Sequence, residues 1–425
     1  MNILFIVPYA PTPIRVRPYN LIKRLAARGH SLTLVTLWNG PDEQWCLAQL
    51  QAMGVRVIAR PLARWRSLLN CVGALPTPLP LQAVYCRSQA LWERIEEELD
   101  SHPTPLPPSL PGKGVRYDVV HVEHLRGAYY GLNLGGAPVV WDSVDCISHL
   151  FEQAARNSRS LTGRLMARLD LGRTRRYEGW LVGQFDRVLV TSQADRLALE
   201  ELAAGSEHAP VTVLPNGVDL DYFTPGLDRW PDTLVYLGKM SYHANVTAAL
   251  HLVRRIMPLV WEKRPQAWLI IVGANPPRQI RRLAAEFPGR VEVTGTVPDV
   301  RPHLRRASVV VAPVVYGAGI QNKVLEAMAC GAPVVTTPQA CAALQVRDGQ
   351  ELLVAADARA FAAAVLRLLD DPHLAGRLGA AGRCYVEQHH NWGAVAQQLE
   401  SVYQEAIETN RSRITRMNEW HECQV

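Results

Sequence analysis

The sequence predicts an α/β fold of two domains, each built on a parallel sheet covered by helices, facing each other across a cleft. Three observations predict it. The chain has 425 residues, too many for one ordinary domain and suited to two of about 200 each. Short apolar runs alternate with helical patterns throughout, the βαβ signature of parallel sheets. Between two such series stands VLPNGVDLDYFTP, residues 213–225, where an Asn-Gly turn and flanking prolines interrupt any continuous helix.

In the first half, Ile3–Val7, Leu32–Thr36, Val55–Ile58, Val119–Val122, Val139–Trp141 and Val188–Thr191 read as strands, and Tyr19–Arg28 as a helix ended at Gly29. In the second half, Leu234–Leu237, Trp268–Val272, Val291–Thr294, Val309–Ala312 and Val334–Thr336 repeat the pattern. The expected domains are residues 1–212 and 213–391, with residues 392–425 a crossing helix and tail. The helix over Trp392–Thr409 is long enough to pack across both domains. HPTPLPPSLPGKG, residues 102–114, is dense in proline and glycine and reads as an extended surface loop within the first domain.

Composition sets limits on function. Hydrophobic residues make up 48% and charged residues 20%, enough to bury cores without suggesting disorder. A net charge of +6 favours anionic ligands or membrane surfaces, but no aromatic-basic repeat, zinc spacing or helix-turn-helix pattern points to nucleic acid. The eight cysteines are scattered without a C-x-x-C pair, which suits reduced cytoplasmic thiols. No stretch reaches the ~20 apolar residues that span a bilayer, so a soluble or peripheral protein is expected.

The chemistry concentrates in APVVYGAGIQNKVLEAMACGAPVVTT, residues 312–337. A buried strand ends at Pro313, a glycine loop follows, and a helix opens near Gln321. Gly317 and Gly319 allow close backbone approach to a ligand. The helix start then offers unpaired N–H groups and a positive dipole end to a phosphate, with Ala318, Ile320 and Gln321 between. Lys323 in the first turn can reach the same anion. Glu326, one turn further on, can accept hydrogen bonds from ribose hydroxyls. The plainer alternative is an ordinary βα turn with charges on its exposed face; the density of features in one stretch favours a nucleotide site.

GIQNKVLEAMACGAPVV, with PNGVD and DDPHLAGRLGAAGRCYVEQHHNW, resembles glycosyltransferase family 4, the group 1 glycosyltransferases of GT-B fold with two Rossmann-like domains. A narrower likeness is to sugar transferases of exopolysaccharide or exosortase-type systems. The resemblance implies a retaining transfer from a nucleoside-diphosphate sugar to a glycan or lipid-linked acceptor, with no metal required. It implies that Glu326 is the second glutamate of the family's E-x7-E pattern, which holds the donor ribose. The first glutamate falls at Ala318, so an acidic group near the donor sugar is missing. In LGKMSYHAN, residues 237–245, Lys239 takes the place of the family's phosphate-binding arginine, the lysine position falls at Ala244, and Lys323 supplies the second charge. Gly273, Thr296 and Val297 stand where the family flanks the base, and Asn216 and Gly217 at the domain crossing; a plain turn role competes at each.

On the acceptor side, PYAPTPIRVRPYN lacks the glycine loop usual in the family. Arg15 and Arg17 can replace its backbone contacts with guanidinium contacts to an anion, or serve as ion pairs. Some relatives place a histidine just beyond the strand at Val119–Val122; here Glu123 holds that place, between His121 and His124. His124 is a cleft candidate, and Asp142 and Asp145 can bind acceptor hydroxyls or cap helices. Residues 156–176 carry seven arginines with Leu161, Leu165, Met166 and Leu169 interleaved. That pattern suits an anionic membrane surface or a solvated helix packing its leucines inward. ARWRSLL around Trp65 is a weaker case of the same kind. Two other readings stand beside the transferase: a non-catalytic nucleotide- or glycan-binding subunit, for which Ala318 argues, and a nucleotide-sugar epimerase.

Overall fold

The structure is a computed structural model that describes residues 1–13, 15–100, 117–157, 161–205, 207–208, 210–226, 228–316 and 320–422, with 154, 156–157, 161–167 and 413–422 described by backbone alone. The 102–114 loop therefore lies outside the described residues.

The chain forms two compact units. The first comprises Met1–His149, Leu169–Leu214 and Trp392–Val425; the second comprises Leu150–Arg168 and Pro215–Asn391. Residues 150–168 thus group with the second unit, and the last helix with the first.

The first unit is built on β1 (Asn2–Val7), β2 (Ser31–Trp38), β3 (Arg56–Pro61), β4 (Val119–Glu123), β5 (Val139–Val144), β6 (Arg187–Val190) and β7 (Val211–Val213). They lie in the order β3-β2-β1-β4-β5-β6-β7, with every described pairing parallel. The second unit holds β8 (Thr233–Leu237), β9 (Trp268–Val272), β10 (Val291–Gly295), β11 (Val309–Ala312), β12 (Val334–Thr336) and β13 (Leu353–Val354), in the order β10-β9-β8-β11-β12-β13. In each sheet the winding reverses beside its first strand, between β1 and β4 and between β8 and β11. Outside the carboxyl ends of such a pair a doubly wound sheet opens its ligand crevice.

The central strands are buried throughout, β1 from Ile3 to Val7 and β11 along its whole length, as strands covered on both faces must be. The first helix begins at Val16 and runs to Ala27, earlier than expected, because Pro18 in its first turn costs no hydrogen bond there. The closing helix spans Trp392–Glu422. Its Trp392, Val395, Ala396, Leu399, Val402, Tyr403 and Ala406 recur every three or four residues and enter the core formed with Phe5, Leu21 and Leu34. Among the described residues no helix is long and apolar enough to cross a membrane.

Candidate functional site

In the second unit the carboxyl ends of β8, β9, β10 and β11 lie side by side, and the residues singled out in the sequence follow them. After β11 the chain passes through Tyr316, which is fully buried, its hydroxyl 2.7 Å from His243 Nδ1 and the two rings stacked. Phe151, Ala155 and Ala244 pack on it. Tyr316 thereby anchors the entry to the glycine loop. Gly317, Ala318 and Gly319 themselves lie outside the described residues. Ile320 returns to the core, Gln321 takes the N-cap position, and the helix runs over Asn322–Ala329, so its first N–H groups have no partner within the helix.

Lys323 is buried, its Nζ donating to Asn245 Oδ1 at 2.5 Å and standing 5.1 Å from the centre of the Tyr236 ring. Burial lowers its ammonium to about 8, with Glu326 acting in the opposite sense. Burial also raises the carboxyl of half-buried Glu326 to about 7, against the pull of Lys323. Asn245 is the hinge of the site. Besides accepting from Lys323 it donates through Nδ2 to the carbonyl of Lys239 at 3.0 Å, and its own carbonyl accepts from Tyr236 at 3.1 Å. The exposed Lys239 and the buried Lys323, 84 positions apart, are thus tied to one amide. The sequence gives no sign of Asn245 in this role, because the link runs across the sheet.

Gly273 has a packing reason. A Cβ there would lie 1.8 Å from the Gly238 carbonyl oxygen, so the turns after β8 and β9 touch backbone to backbone and hold the Lys239 turn in place. Its N–H donates to Gly295 O at 3.2 Å. Thr296 beyond it is exposed, and half-buried Val297 packs on the core. Asn216 donates to Asn322 Oδ1 at 3.3 Å at the mouth of the helix, and its carbonyl lies 2.7 Å from His390 Nδ1. The structure therefore gathers Lys239, Lys323, Asn216 and the Glu326 helix, with Thr296 and Val297 further along the same edge.

The first unit treats its candidates differently. Arg17 is buried and forms a two-pronged pair with Asp142, 2.7 Å and 3.1 Å, while a third nitrogen donates to Leu214 O at 2.9 Å. Both residues, expected to face an acceptor, instead form an internal ion pair that binds the first helix to β5 and the end of β7. Arg15 pairs with Glu43 at 2.9 Å and lies over Tyr9, the ion-pair alternative. Asp145 accepts from Thr191 at 3.1 Å, and burial beside Asp195 raises its carboxyl to about 7.

Beside that pair, His121 meets the Tyr403 hydroxyl at 2.8 Å, and burial keeps its ring neutral by lowering it to about 4. Glu123 is buried at the end of β4. Tyr9 donates to its Oε1 at 3.0 Å, Oε2 has no hydrogen-bond partner among the described residues, and burial raises the carboxyl to about 8. His124 next to it holds a left-handed backbone, φ 65°, accepts from Arg126 N at 3.2 Å, and is lowered to about 3 by burial. A non-glycine residue in that conformation marks strain of the sort that gathers at functional edges.

Of the basic stretch 156–176, the side chains of Arg156, Arg159 and Arg164 lie outside the described residues. In the rest, Asp170 turns inward to accept from Leu81 N and Leu169 is exposed. The seven described cysteines are unpaired. Among the described residues no group of three His, Cys, Asp or Glu could hold a metal.

The family model for "Glycosyl transferases group 1" matches residues 231–371, and that for "Glycosyltransferase Family 4" matches residues 15–222. The chain is 30% identical over 237 residues to a phosphatidyl-myo-inositol mannosyltransferase of Mycobacterium leprae, 54% of this chain and 61% of that protein. It is 31% identical over 265 residues to a glycogen synthase of Mycobacterium tuberculosis, 59% of this chain and 60% of that one. It thus spans about three fifths of the length of the curated relatives it matches. Its fold is like that of sucrose-phosphate synthase from Thermosynechococcus elongatus, with TM-score 0.68 at 18% identity over 96% of this chain and 100% of that one. Anabaena HepE in complex with UDP-glucose gives 0.65 at 15% identity, over 95% and 100%. These likenesses agree with the GT-B arrangement of two parallel-sheet α/β domains.

Proposed function

The chain belongs to the family 4, group 1 glycosyltransferases, and from that premise we propose that it moves a sugar from a nucleoside-diphosphate sugar onto a glycan or lipid-linked acceptor, with retention at the anomeric carbon, in polysaccharide or glycolipid assembly. The observation that carries this reading is Lys323, a buried ammonium in the first turn of the helix after the glycine loop, held by a neutral amide rather than a carboxylate. Away from water such a charge acts on a nearby anion far more strongly than on the surface. Its role is to stabilise the negative charge that develops on the departing diphosphate. Lys239, on the turn joined to it through Asn245, supplies the second cation, and the helix N-terminus adds its dipole. Glu326 accepts the ribose hydroxyls.

Gly317, Ala318, Gly319, Ile320 and Gln321 line the donor phosphates and sugar, Gly273, Thr296 and Val297 the base, and Asn216 the helix mouth. The acceptor proton passes to the leaving phosphate on the same face, so catalysis is mostly positioning and charge stabilisation. With cations from the protein at the diphosphate, the reaction proceeds without a metal. We place the protein in the cytoplasm, peripheral on the inner face of the membrane, where a water-soluble donor meets a lipid-linked acceptor.

The test is turnover of UDP-, GDP- and ADP-sugars with a panel of glycan and lipid acceptors, with product anomers read by NMR in buffer containing EDTA. Transfer with retained configuration, lost in Glu326→Ala, is expected. A second reading, a non-catalytic nucleotide- or glycan-binding subunit, is favoured by Ala318 standing where relatives carry a glutamate. Nucleotide binding without turnover across the panel would select it.

A further inference from the structure

The helix Arg64–Ala74, between β3 and β4 in the first unit, is built inside out. Toward the protein it turns small and polar residues. Ser67 and Ala74 are buried, Asn70 donates to the carbonyls of Val84 at 3.2 Å and Arg87 at 2.9 Å, and Cys71 Sγ lies 3.7 Å from Leu81 O. Trp65, Leu68, Leu69, Val72 and, just past its end, Leu75 are each between 54% and 61% exposed. Their spacing of three and four puts them on one stripe. The stripe continues onto a second helix: Leu169 is 63% exposed, one turn before Arg173, which donates to Leu75 O at 2.6 Å. A surface helix in water buries its large apolar residues; this one presents them.

The surroundings of the stripe are basic. From Val57 to Trp92 the sequence contains Arg60, Arg64, Arg66 and Arg87 and neither Asp nor Glu. Beside the helix opens a cavity of about 410 Å³, lined among others by Trp65, Arg66, Leu69 and Arg87. Arg87 lies over the Tyr129 ring at 4.4 Å, and its buried Nε has no hydrogen-bond partner among the described residues, a donor suited to an anionic oxygen.

We propose that this face docks the protein on an anionic lipid bilayer, with the Trp65–Leu75 stripe in the acyl boundary and the arginines at the headgroup phosphates, one of which enters the Arg87 cavity. A helix of 11 residues is far short of the ~20 that span a bilayer, so it lies in the plane of the interface. A second copy of the chain fits less well. Pairing this face with itself would set arginine against arginine, whereas anionic lipid complements every charge around it. The inference shares with the preceding section the membrane location alone and needs no transfer reaction.

The experiment is flotation of the full chain with vesicles of phosphatidylcholine, with and without phosphatidylglycerol, and no donor or acceptor present. The protein is expected to float with the phosphatidylglycerol vesicles, to stay behind with pure phosphatidylcholine, and to release at high salt. Leu68→Ser/Leu69→Ser/Val72→Ser alters exposed side chains, so its unfolding temperature and nucleotide-induced thermal shift should match the wild type while vesicle affinity falls at least about tenfold. Arg64→Glu/Arg66→Glu should lose affinity by more than about tenfold and abolish the preference for anionic lipid. Vesicle binding unchanged in both variants would overturn the proposal. So would a wild type that ignores vesicles but forms a dimer lost in the triple serine variant. Neither result bears on turnover, so a failure here and a failure of the transferase reading can be told apart.

Discussion

Arg17 and Lys323 both stand beyond the carboxyl ends of a doubly wound sheet, beside the strands where the winding reverses. Arg17 gives its fork to the Asp142 carboxylate and its remaining nitrogen to a carbonyl; Lys323 donates to the neutral oxygen of Asn245. The first charge is cancelled inside the protein. The second keeps a net field, shared with Glu326, for an anion to use. A strand-order reversal opens a crevice in each sheet, and the partner of the nearest cation sets whether its charge is spent inside the protein, as at Arg17, or left for the anion proposed at Lys323.

The comparison breaks most visibly if the buried pair is opened. Arg17→Ala leaves Asp142 charged and buried, and should cost about 3–5 kcal/mol of stability by denaturant unfolding. Donor affinity of the protein that stays folded should not change. Arg17→Met/Asp142→Leu should recover most of the loss, since no lone charge remains. In the second unit the effect should fall on chemistry: Lys323→Ala should lower kcat/KM by about 100- to 1,000-fold, with a much smaller change in unfolding free energy.

Glu123 offers a pH test. Its folded carboxyl is raised to about 8 by burial, against an ordinary value near 4.3. Between those values the folded state binds the proton and the unfolded state does not, so Glu123 makes stability fall as pH rises from about 4.3 to about 8. Glu123→Gln removes that slope, which thermal unfolding across this range will reveal. In the second unit the opposed shifts, Glu326 to about 7 and Lys323 to about 8, predict donor affinity that peaks between them. Below the window Glu326 is protonated and loses its grip on ribose; above it Lys323 loses its charge. The smallest effect is expected at Arg15, whose surface pair with Glu43 is worth at most about 1 kcal/mol when removed by Arg15→Ala.

Much of this was legible in the sequence. The long apolar runs fell on β1, β2, β4, β5, β6, β8, β9, β11 and β12 within a few residues, because strands buried on both faces must be apolar along their length; the edge strands β3 and β10 were read from their alternating valines. β7 and β13 were not read. They are three and two residues long and sit at sheet edges, where no run of apolar residues is needed. The stretch proposed as the nucleotide site stands out in the sequence because its glycines, lysine and glutamate are contiguous. The Arg17–Asp142 pair, 125 positions apart, and the Asn245 hinge do not, since only the fold brings their partners together. The inverted helix was hidden for a related reason: ARWRSLL reads as amphipathic whichever way it faces, and only the packing of Asn70 and Ser67 says which side is in.

The most direct test of the account is calorimetric titration of UDP-, GDP- and ADP-sugars into the wild type, Lys323→Ala and Glu326→Ala. One of the donors should bind the wild type and bind each variant at least about tenfold more weakly, a loss of about 1.4 kcal/mol or more. Binding of equal strength in all three proteins would contradict the assignment of the β11 loop and its helix as the nucleotide-sugar site.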